Sequence, residues 1–201
     1  MIRTFLAVAL PATIRRALST LQQDLKQRLD PVAGRQVRLS WVRPDAMHLT
    51  LRFLGDTPED VIDLLRLGVE EAAQGQRAVT VPLQRLGAFP RPQQPRVLWV
   101  GPSESWERGP EAQRLAALHR AVEVCCRSAG FAPEERPFSP HLTVARIKEG
   151  ERQAGQALAQ GAVLDRPVEL GELPVDAILL MKSELRPTGS IYSTLWEVPL
   201  Q

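Results

Sequence analysis

Two of the three histidines in this 201-residue chain lie in the same four-residue frame. The frames read His48-Leu49-Thr50-Leu51 and His141-Leu142-Thr143-Val144. Side chains alternate between the faces of a β-strand, so each histidine would share a face with the threonine two residues on. A single frame of this kind is more often the half-exposed polar face of a strand than a functional site. Two copies, 93 positions apart, predict two matching strand faces that meet at one substrate.

A pair of histidines can carry out acid/base chemistry near neutral pH. Imidazole titrates in this range, so one ring can activate a water while the other, protonated, donates to a leaving oxygen. The hydroxyls of Thr50 and Thr143 can donate hydrogen bonds to a phosphoryl oxygen as its negative charge develops. The frames therefore predict a two-histidine site in which threonines contact a phosphate.

Two further side chains, Phe53 and Arg146, lie five residues after their histidines. Five is an odd number, so an ideal strand would direct both side chains away from the histidine face. A bulge, a strand end or the reach of the long guanidinium would be needed to bring Arg146 back to a phosphate. The sequence leaves this point open.

The remaining histidine, His119, falls in a helix predicted over Pro110 to Ala129. It flanks an apolar stripe formed by Leu115, Leu118, Val122 and Cys125. We interpret it as a residue at the boundary of the core. No histidine pair has the short spacing of metal ligands, so neither a metal nor another cofactor is predicted.

Charge and cysteine content restrict the class of protein. Lys and Arg number 25 against 23 Asp and Glu, which argues against a surface for long duplex nucleic acid but allows a small or terminal nucleotide. Cys125 and Cys126 are adjacent, without redox or zinc spacing, as expected of thiols in a reducing cytoplasm. The N-terminal apolar run is too short for a signal peptide, and no stretch is long enough to span a membrane. We expect a cytoplasmic protein.

Hydrophobic periodicity predicts strands that alternate with helices, with several strands adjacent in sequence, which is typical of an α+β fold. Strands are predicted over residues 4–10, 37–42, 48–54, 79–86, 96–100, 141–147, 168–173, 177–182 and 191–199. Helices are predicted over residues 11–29, 58–73, 110–129 and 151–160. In the helix over 58–73, the inward residues are expected to be Val61, Leu64, Leu65 and Val69. No linker is evident, and residues 1–201 are read as one domain.

Several segments together resemble a known family. They are Arg3 to Val8, Met47 to Gly55, Gly87 to Pro92, Pro95 to Gly101, Phe138 to Arg146, Leu180 to Leu185, and Tyr192. The chain resembles the 2H phosphoesterase superfamily, and within it the bacterial and archaeal RNA 2′,3′-cyclic phosphodiesterases, also called 2′-5′ RNA ligases. The two His-Leu-Thr frames mark the superfamily. The Phe-Pro-Arg-Pro and Arg-Val-Leu-Trp segments indicate this branch.

The resemblance implies a bilobed fold, in which two pseudo-symmetric lobes of mainly antiparallel sheet, with outer helices, enclose a central cleft. It implies that the chain hydrolyses RNA 2′,3′-cyclic ends to 2′-phosphomonoesters without a metal, with 2′-5′ ligation as a secondary activity. His48 would be the general acid and His141 the general base. Thr50, Thr143 and Arg146 would contact the phosphate, and Phe53 would lie beside the base. Expected partners are RNA ends or small cyclic nucleotides, and the chain is expected to act as a monomer.

Other functions would use the same residues. A module that recognises an RNA-end phosphate without cleaving it is the alternative outside enzymes. Within enzymes, relatives in the superfamily open other cyclic phosphates or cleave 2′-5′ linkages. Turnover beyond one equivalent would distinguish the cyclic phosphodiesterase from the binding module. The profile of products would distinguish it from the other enzymes of the superfamily.

Overall fold

The computed structural model describes residues 1–34, 36–186 and 189–201. Its strands are β1 (Ile2–Val8), β2 (Arg38–Trp41), β3 (Leu49–Thr57), β4 (Val79–Pro82), β5 (Arg85–Phe89), β6 (Val97–Gly101), β7 (Leu142–Glu149), β8 (Glu172–Val175), β9 (Ala177–Arg186) and β10 (Gly189–Pro199). Its helices are α1 (Ala12–Ala33), α2 (Ile62–Ala73), α3 (Glu104–Glu107), α4 (Pro110–Ser128) and α5 (Glu151–Gln160). Single 3₁₀ turns precede β3 at Pro44–Ala46 and α2 at Glu59–Val61.

Eight strands form one antiparallel sheet made of two halves. The first half-sheet has the order β10-β9-β1-β3, and the second half-sheet has the order β2-β7-β6-β5. They meet where β3 and β7 run side by side, and the pairing there consists of Leu49 opposite Leu142. The residues of this pair directly follow the two histidines. The predicted α+β fold with mainly antiparallel strands is confirmed.

The helices cover one face of the sheet and bury its apolar side chains. Helices α2 and α4 pack on the first half-sheet, whereas α1 and α5 pack on the second. Helix α1 faces the core through the predicted stripe of Ile14, Leu18, Leu21 and Leu25, continued by Leu29. Such a stripe removes apolar surface from water along the whole helix. Within the described ranges, no helix is long and apolar enough to cross a bilayer.

Two predicted strands differ from the structure. The strand predicted over residues 79–86 is two strands, because the chain leaves one sheet and enters another there. It passes from β4, which pairs with β8, to β5 in the large sheet. At this point Leu83 N donates to the Gly171 carbonyl and Gln84 N donates to the Gly101 carbonyl. The strand predicted over 168–173 begins only at Glu172, since Val168 and Leu170 instead bond to the carbonyls of Gln84 and Leu83.

Two predictions of inward-facing side chains are also wrong. Leu64 is exposed, because only the stripe of Leu65, Val69 and Ala73 lies beneath the first half-sheet. On α4 the thiol that completes the buried stripe belongs to Cys126, while Cys125 is half-buried and donates to the Gly68 carbonyl at 2.9 Å.

Candidate active site

The pairing of β3 with β7 brings the two His-Thr faces together. Leu49 and Leu142 are directly opposite each other and both are buried beneath the helices. Opposed residues of an antiparallel pair project to the same face, and their sequence neighbours project to the other. His48, Thr50, His141 and Thr143 therefore share the face away from the helices. Because the strands run in opposite directions, each histidine lies on the side of the other strand's threonine.

Both rings are held in the same way. Nδ1 of His48 lies 3.0 Å from the Ala46 carbonyl oxygen, and Nδ1 of His141 lies 2.8 Å from that of Ser139. A carbonyl only accepts hydrogen bonds, so Nδ1 carries the proton in each neutral ring. This leaves Nε2 with its lone pair. Each imidazole can therefore accept a proton at Nε2, or donate one from there once it is protonated.

Burial favours the neutral form of both histidines. Burial lowers the pKa of His48 to about 4, and the positive charges of Arg146 and His141 add to this effect, while the bond to Ala46 opposes it. Burial also lowers the pKa of His141, again assisted by Arg146 and opposed by the bond to Ser139. Removing an imidazolium from water without a compensating anion is costly, so the rings are neutral when no anion is bound.

Each strand carries a β-bulge at the same place. In β3, Thr50 pairs with Ala7 but Arg52 pairs with Leu6, so Leu51 is an extra residue. In β7, Thr143 pairs with Trp99 but Ala145 pairs with Leu98, so Val144 is an extra residue. A bulge shifts the alternation of side chains by one position. Leu51 and Arg52 are accordingly both buried, as are Val144 and Ala145.

The bulges resolve the position of the two residues five places after the histidines. Phe53 pairs with Phe5, and Arg146 pairs with Val97 and Ser40, so both return to the face that carries the histidines. The Phe53 side chain is 49% exposed and its ring centroid lies 5.7 Å from that of Phe5. Arg146 is exposed, and its charge acts on both imidazoles. The structure thus brings all six predicted site residues to one face of the sheet.

Aromatic side chains surround both histidines, and the residue patterns alone did not single them out. His48 stacks on Phe5, with ring centroids 4.5 Å apart, and meets the edge of Tyr192 at 5.2 Å. His141 meets Phe89 edge-on at 5.0 Å and has Trp99 at 6.3 Å. Trp99 lies across Gly87, where a Cβ would come within 2.0 Å of its ring. All five residues fall in segments that carry the family resemblance, which was the available signal.

His119 is half-buried at the boundary of the core, as the sequence predicted, and it lies between two elements of the site. Its ring stacks on Phe138 with centroids 4.1 Å apart. Burial lowers the pKa of His119, and the nearby backbone of Leu51 in the β3 bulge opposes that shift. It does not join the other histidines. Among the described residues, no group of three or more His, Cys, Asp or Glu side chains is placed to hold a metal ion.

Comparison with known proteins identifies similar sequences along nearly the whole chain. The model of the LigT-like phosphoesterases matches residues 8–99 and 108–192. The RNA 2′,3′-cyclic phosphodiesterase of Aeropyrum pernix is 38% identical over 169 residues, which are 84% of this chain and 90% of that protein. The enzyme of the same name from Methanothermobacter thermautotrophicus is 32% identical over 194 residues, or 96% of each chain.

The fold is also similar to solved structures. E. coli LigT in complex with 3′-AMP superposes with a TM-score of 0.72 at 27% identity, and the match covers 100% of this chain and 98% of that one. The same E. coli protein has also been solved with NADP⁺, with a TM-score of 0.71 at 27% identity and the same coverage of both chains.

Proposed function

The chain belongs to the LigT-like phosphoesterases of the 2H family, and we propose that it hydrolyses the 2′,3′-cyclic phosphodiester ends of RNA to 2′-phosphomonoesters. The observation that carries this proposal is the pair of histidines on one sheet face, each with Nδ1 bonded to a carbonyl and Nε2 left for chemistry. Such a pair can take a proton from one side of a phosphorus atom and give one on the other.

In the proposed reaction His141 is the general base and His48 the general acid. Nε2 of His141 accepts a proton from water as the water oxygen bonds to phosphorus. The bond between phosphorus and ribose O3′ breaks, and Nε2 of His48 donates a proton to O3′. The products are a 2′-phosphate and a free 3′-hydroxyl. With a ribose 5′-hydroxyl in place of water as the nucleophile, the same ring opening, with O3′ again leaving, would form a 2′-5′ linkage, which we regard as secondary.

Thr50, Thr143 and Arg146 are proposed to hold the phosphate. Two hydroxyls and a guanidinium beside the imidazoles can donate hydrogen bonds to phosphoryl oxygens as charge builds up on them. The position of Arg146 past its bulge supports this role. The exposed ring of Phe53 on the opposite half-sheet is proposed to stack against the terminal base.

The role of His48 as acid requires the substrate's negative charge. Its pKa of about 4 means that the ring is neutral at pH 7 when no anion is bound. A phosphodiester anion next to the ring favours the imidazolium and counteracts burial. Substrate binding and protonation of His48 are therefore coupled in the proposed mechanism.

The two half-sheets are proposed to be the two pseudo-symmetric lobes of one domain over residues 1–201. The matching position of histidine, carbonyl, threonine and bulge in β3 and β7 supports that symmetry. We further propose that the chain acts as a monomer in the cytoplasm, needs no metal, and takes RNA ends or small cyclic nucleotides as its substrates.

Turnover tests this function against the alternative of a binding module. The substrate is a short oligoribonucleotide with a 2′,3′-cyclic phosphate, and the same oligonucleotide with an open 3′-phosphate is the control. We expect many cyclic ends to be opened per protein molecule. Stoichiometric binding of both oligonucleotides without product would instead favour a module that recognises terminal phosphates.

A further inference from the structure

A buried cation lies directly behind the first histidine frame. Arg52, the second residue of the β3 bulge, is 7% exposed. Its Nε lies 2.9 Å from a carboxylate oxygen of Glu123 in α4, and its Nη1 lies 3.1 Å from one of Glu134. Its Nη2 donates to the backbone carbonyl of Ala132. A planar guanidinium can make all three contacts at once, whereas an ammonium group cannot reach them together.

Ala132 and Glu134 belong to the connecting arm, residues 131–140, which leads from α4 to His141. The arm is further fixed where Phe131 N donates to the Cys126 carbonyl and where Glu134 N donates to Glu123, both at 3.0 Å. Near its end lies Ser139, whose carbonyl oxygen is 2.8 Å from Nδ1 of His141. The arm therefore contributes to the orientation of the second imidazole, in addition to the pairing of β7.

His119 connects the arm to β3 a second time. It stacks on Phe138 of the arm with ring centroids 4.1 Å apart. It also lies near the backbone of Leu51, the extra residue of the bulge, which opposes the lowering of its pKa by burial. On the other side, Phe138, Ser139 and Pro140 border an open pocket of about 290 Å³ next to α3 and α4. The pocket leaves this side of the arm less densely packed, so the contacts to Arg52 and His119 on the β3 side add to the restraint that the core packing of Phe131 and Phe138 provides.

We propose that Arg52 is a positioning residue that ties the connecting arm to β3 and so sets His141 relative to His48. His119 provides the second tie. Neither side chain touches the face on which the chemistry takes place. The inference rests on the proposed function for its kinetic consequence, but its structural consequence can be measured without turnover.

The second half-sheet has no such cation, which makes the assignment specific. Ala145 occupies the position of Arg52 in β7, and the Val144 carbonyl of that bulge accepts a bond of 2.8 Å from Gln22 in α1. Gln22 supports the bulge itself, and its other bond, of 2.7 Å, goes to Val42. The bulge of the second half-sheet also contacts the segment that precedes the other histidine, because Val42 N donates to the Val144 carbonyl at 3.1 Å. That contact is a backbone hydrogen bond, whereas the first half-sheet reaches the connecting arm through the charged side chain of Arg52.

The test compares Arg52→Lys with two controls. Arg66→Lys makes the same change in an exposed ion pair on α2, and Leu158→Ala weakens the core beneath the second half-sheet without touching the arm. For each variant, kcat and KM are measured on the oligonucleotide with a 2′,3′-cyclic end. The temperature is kept below the melting temperature of the least stable variant. In parallel, ¹⁵N NMR measures which ring nitrogen of neutral His141 carries the proton.

For Arg52→Lys we expect kcat to fall by about 10- to 100-fold while KM stays within about threefold, because a displaced base loses alignment with its substrate. We also expect the His141 proton to move partly from Nδ1 to Nε2, while both controls resemble the wild type. Unchanged kcat, an unchanged tautomer, or equal losses in Leu158→Ala would overturn the proposal. If wild-type protein shows no turnover, the proposed function fails and the tautomer alone decides the role of Arg52.

Discussion

The two half-sheets use the same backbone frame but surround it with different side chains. In both, a histidine bonded to a carbonyl two residues earlier is followed by a threonine and then by a bulge. After the bulge the first half-sheet presents Phe53 and the second presents Arg146. The shared backbone thus sets out two imidazoles in equivalent positions. In the proposed function, the side chain beyond each bulge fits the first half-sheet to a nucleobase and the second to a phosphate.

The largest expected effect comes from removing either histidine, because the proposed mechanism requires one imidazole as acid and the other as base. His48→Ala and His141→Ala should each lower kcat by about 10²- to 10⁴-fold. Thermal unfolding should shift by only a few degrees, since both side chains are half-buried on the face away from the helices and lie outside the apolar core. A variant that kept most of the wild-type turnover would remove that histidine from the mechanism.

Substitutions of the two threonines are expected to have the next largest effect on activity. Equal effects at both positions would indicate that the two half-sheets act together on one phosphate. Thr50→Val and Thr143→Val keep the shape but lose the hydroxyl, so each should lower kcat/KM by about 10²-fold. Thr→Ser at the same positions keeps the donor and is the matched control. If Ser and Val variants behave alike in steady-state kinetics, the hydroxyl is not the relevant group.

Substitutions of Arg146 and Phe53 should have different kinetic effects and so distinguish the roles of the two half-sheets. Arg146→Ala is expected to lower kcat and raise KM, reducing kcat/KM by about 10²-fold, because it loses a charged donor to the phosphate. Phe53→Ala should raise KM by roughly tenfold with little change in kcat, since base stacking contributes about 1–3 kcal/mol. Arg152→Ala, an exposed arginine on α5, controls for the change in net charge. The same kinetic pattern for both variants would contradict the difference between the halves.

The pH dependence gives the smallest effect and tests the two imidazoles together. The productive free enzyme has His48 protonated and His141 neutral, and burial lowers both pKa values, that of His48 to about 4. Above both values the protonated fraction of His48 falls about tenfold per pH unit. We therefore expect kcat/KM to fall as the pH rises from 7 to 8. A rise of kcat/KM over that range would be inconsistent with His48 as the acid.

Much of the fold and the core of the site could be predicted from the sequence. Alternation within the two frames placed histidine and threonine on one strand face, and the periodicity of α1 identified its buried stripe. These features depend on side chains a few residues apart, where strand and helix geometry decide the outcome. The family resemblance supplied the pairing of the two strands into one cleft.

The features that could not be predicted depend on contacts distant in sequence. The bulges at Leu51 and Val144 arise from pairing with β1 and β6, so the sequence alone left the directions of Phe53 and Arg146 open. His119 is a boundary residue as predicted, but its stacking on Phe138 could not be foreseen because Phe138 belongs to another segment. The break at Leu83 likewise depends on Gly171, 88 positions further along the chain.

The central claim is that two imidazoles open a cyclic phosphate with departure of O3′ and without a metal. The most direct measurement incubates the protein with a 2′,3′-cyclic nucleotide in excess EDTA and resolves the 2′-phosphate from the 3′-phosphate. The account predicts many turnovers that yield the 2′-phosphate. Exclusive formation of the 3′-phosphate would contradict the assigned leaving group, and loss of turnover in EDTA would contradict a mechanism that rests on the histidines alone.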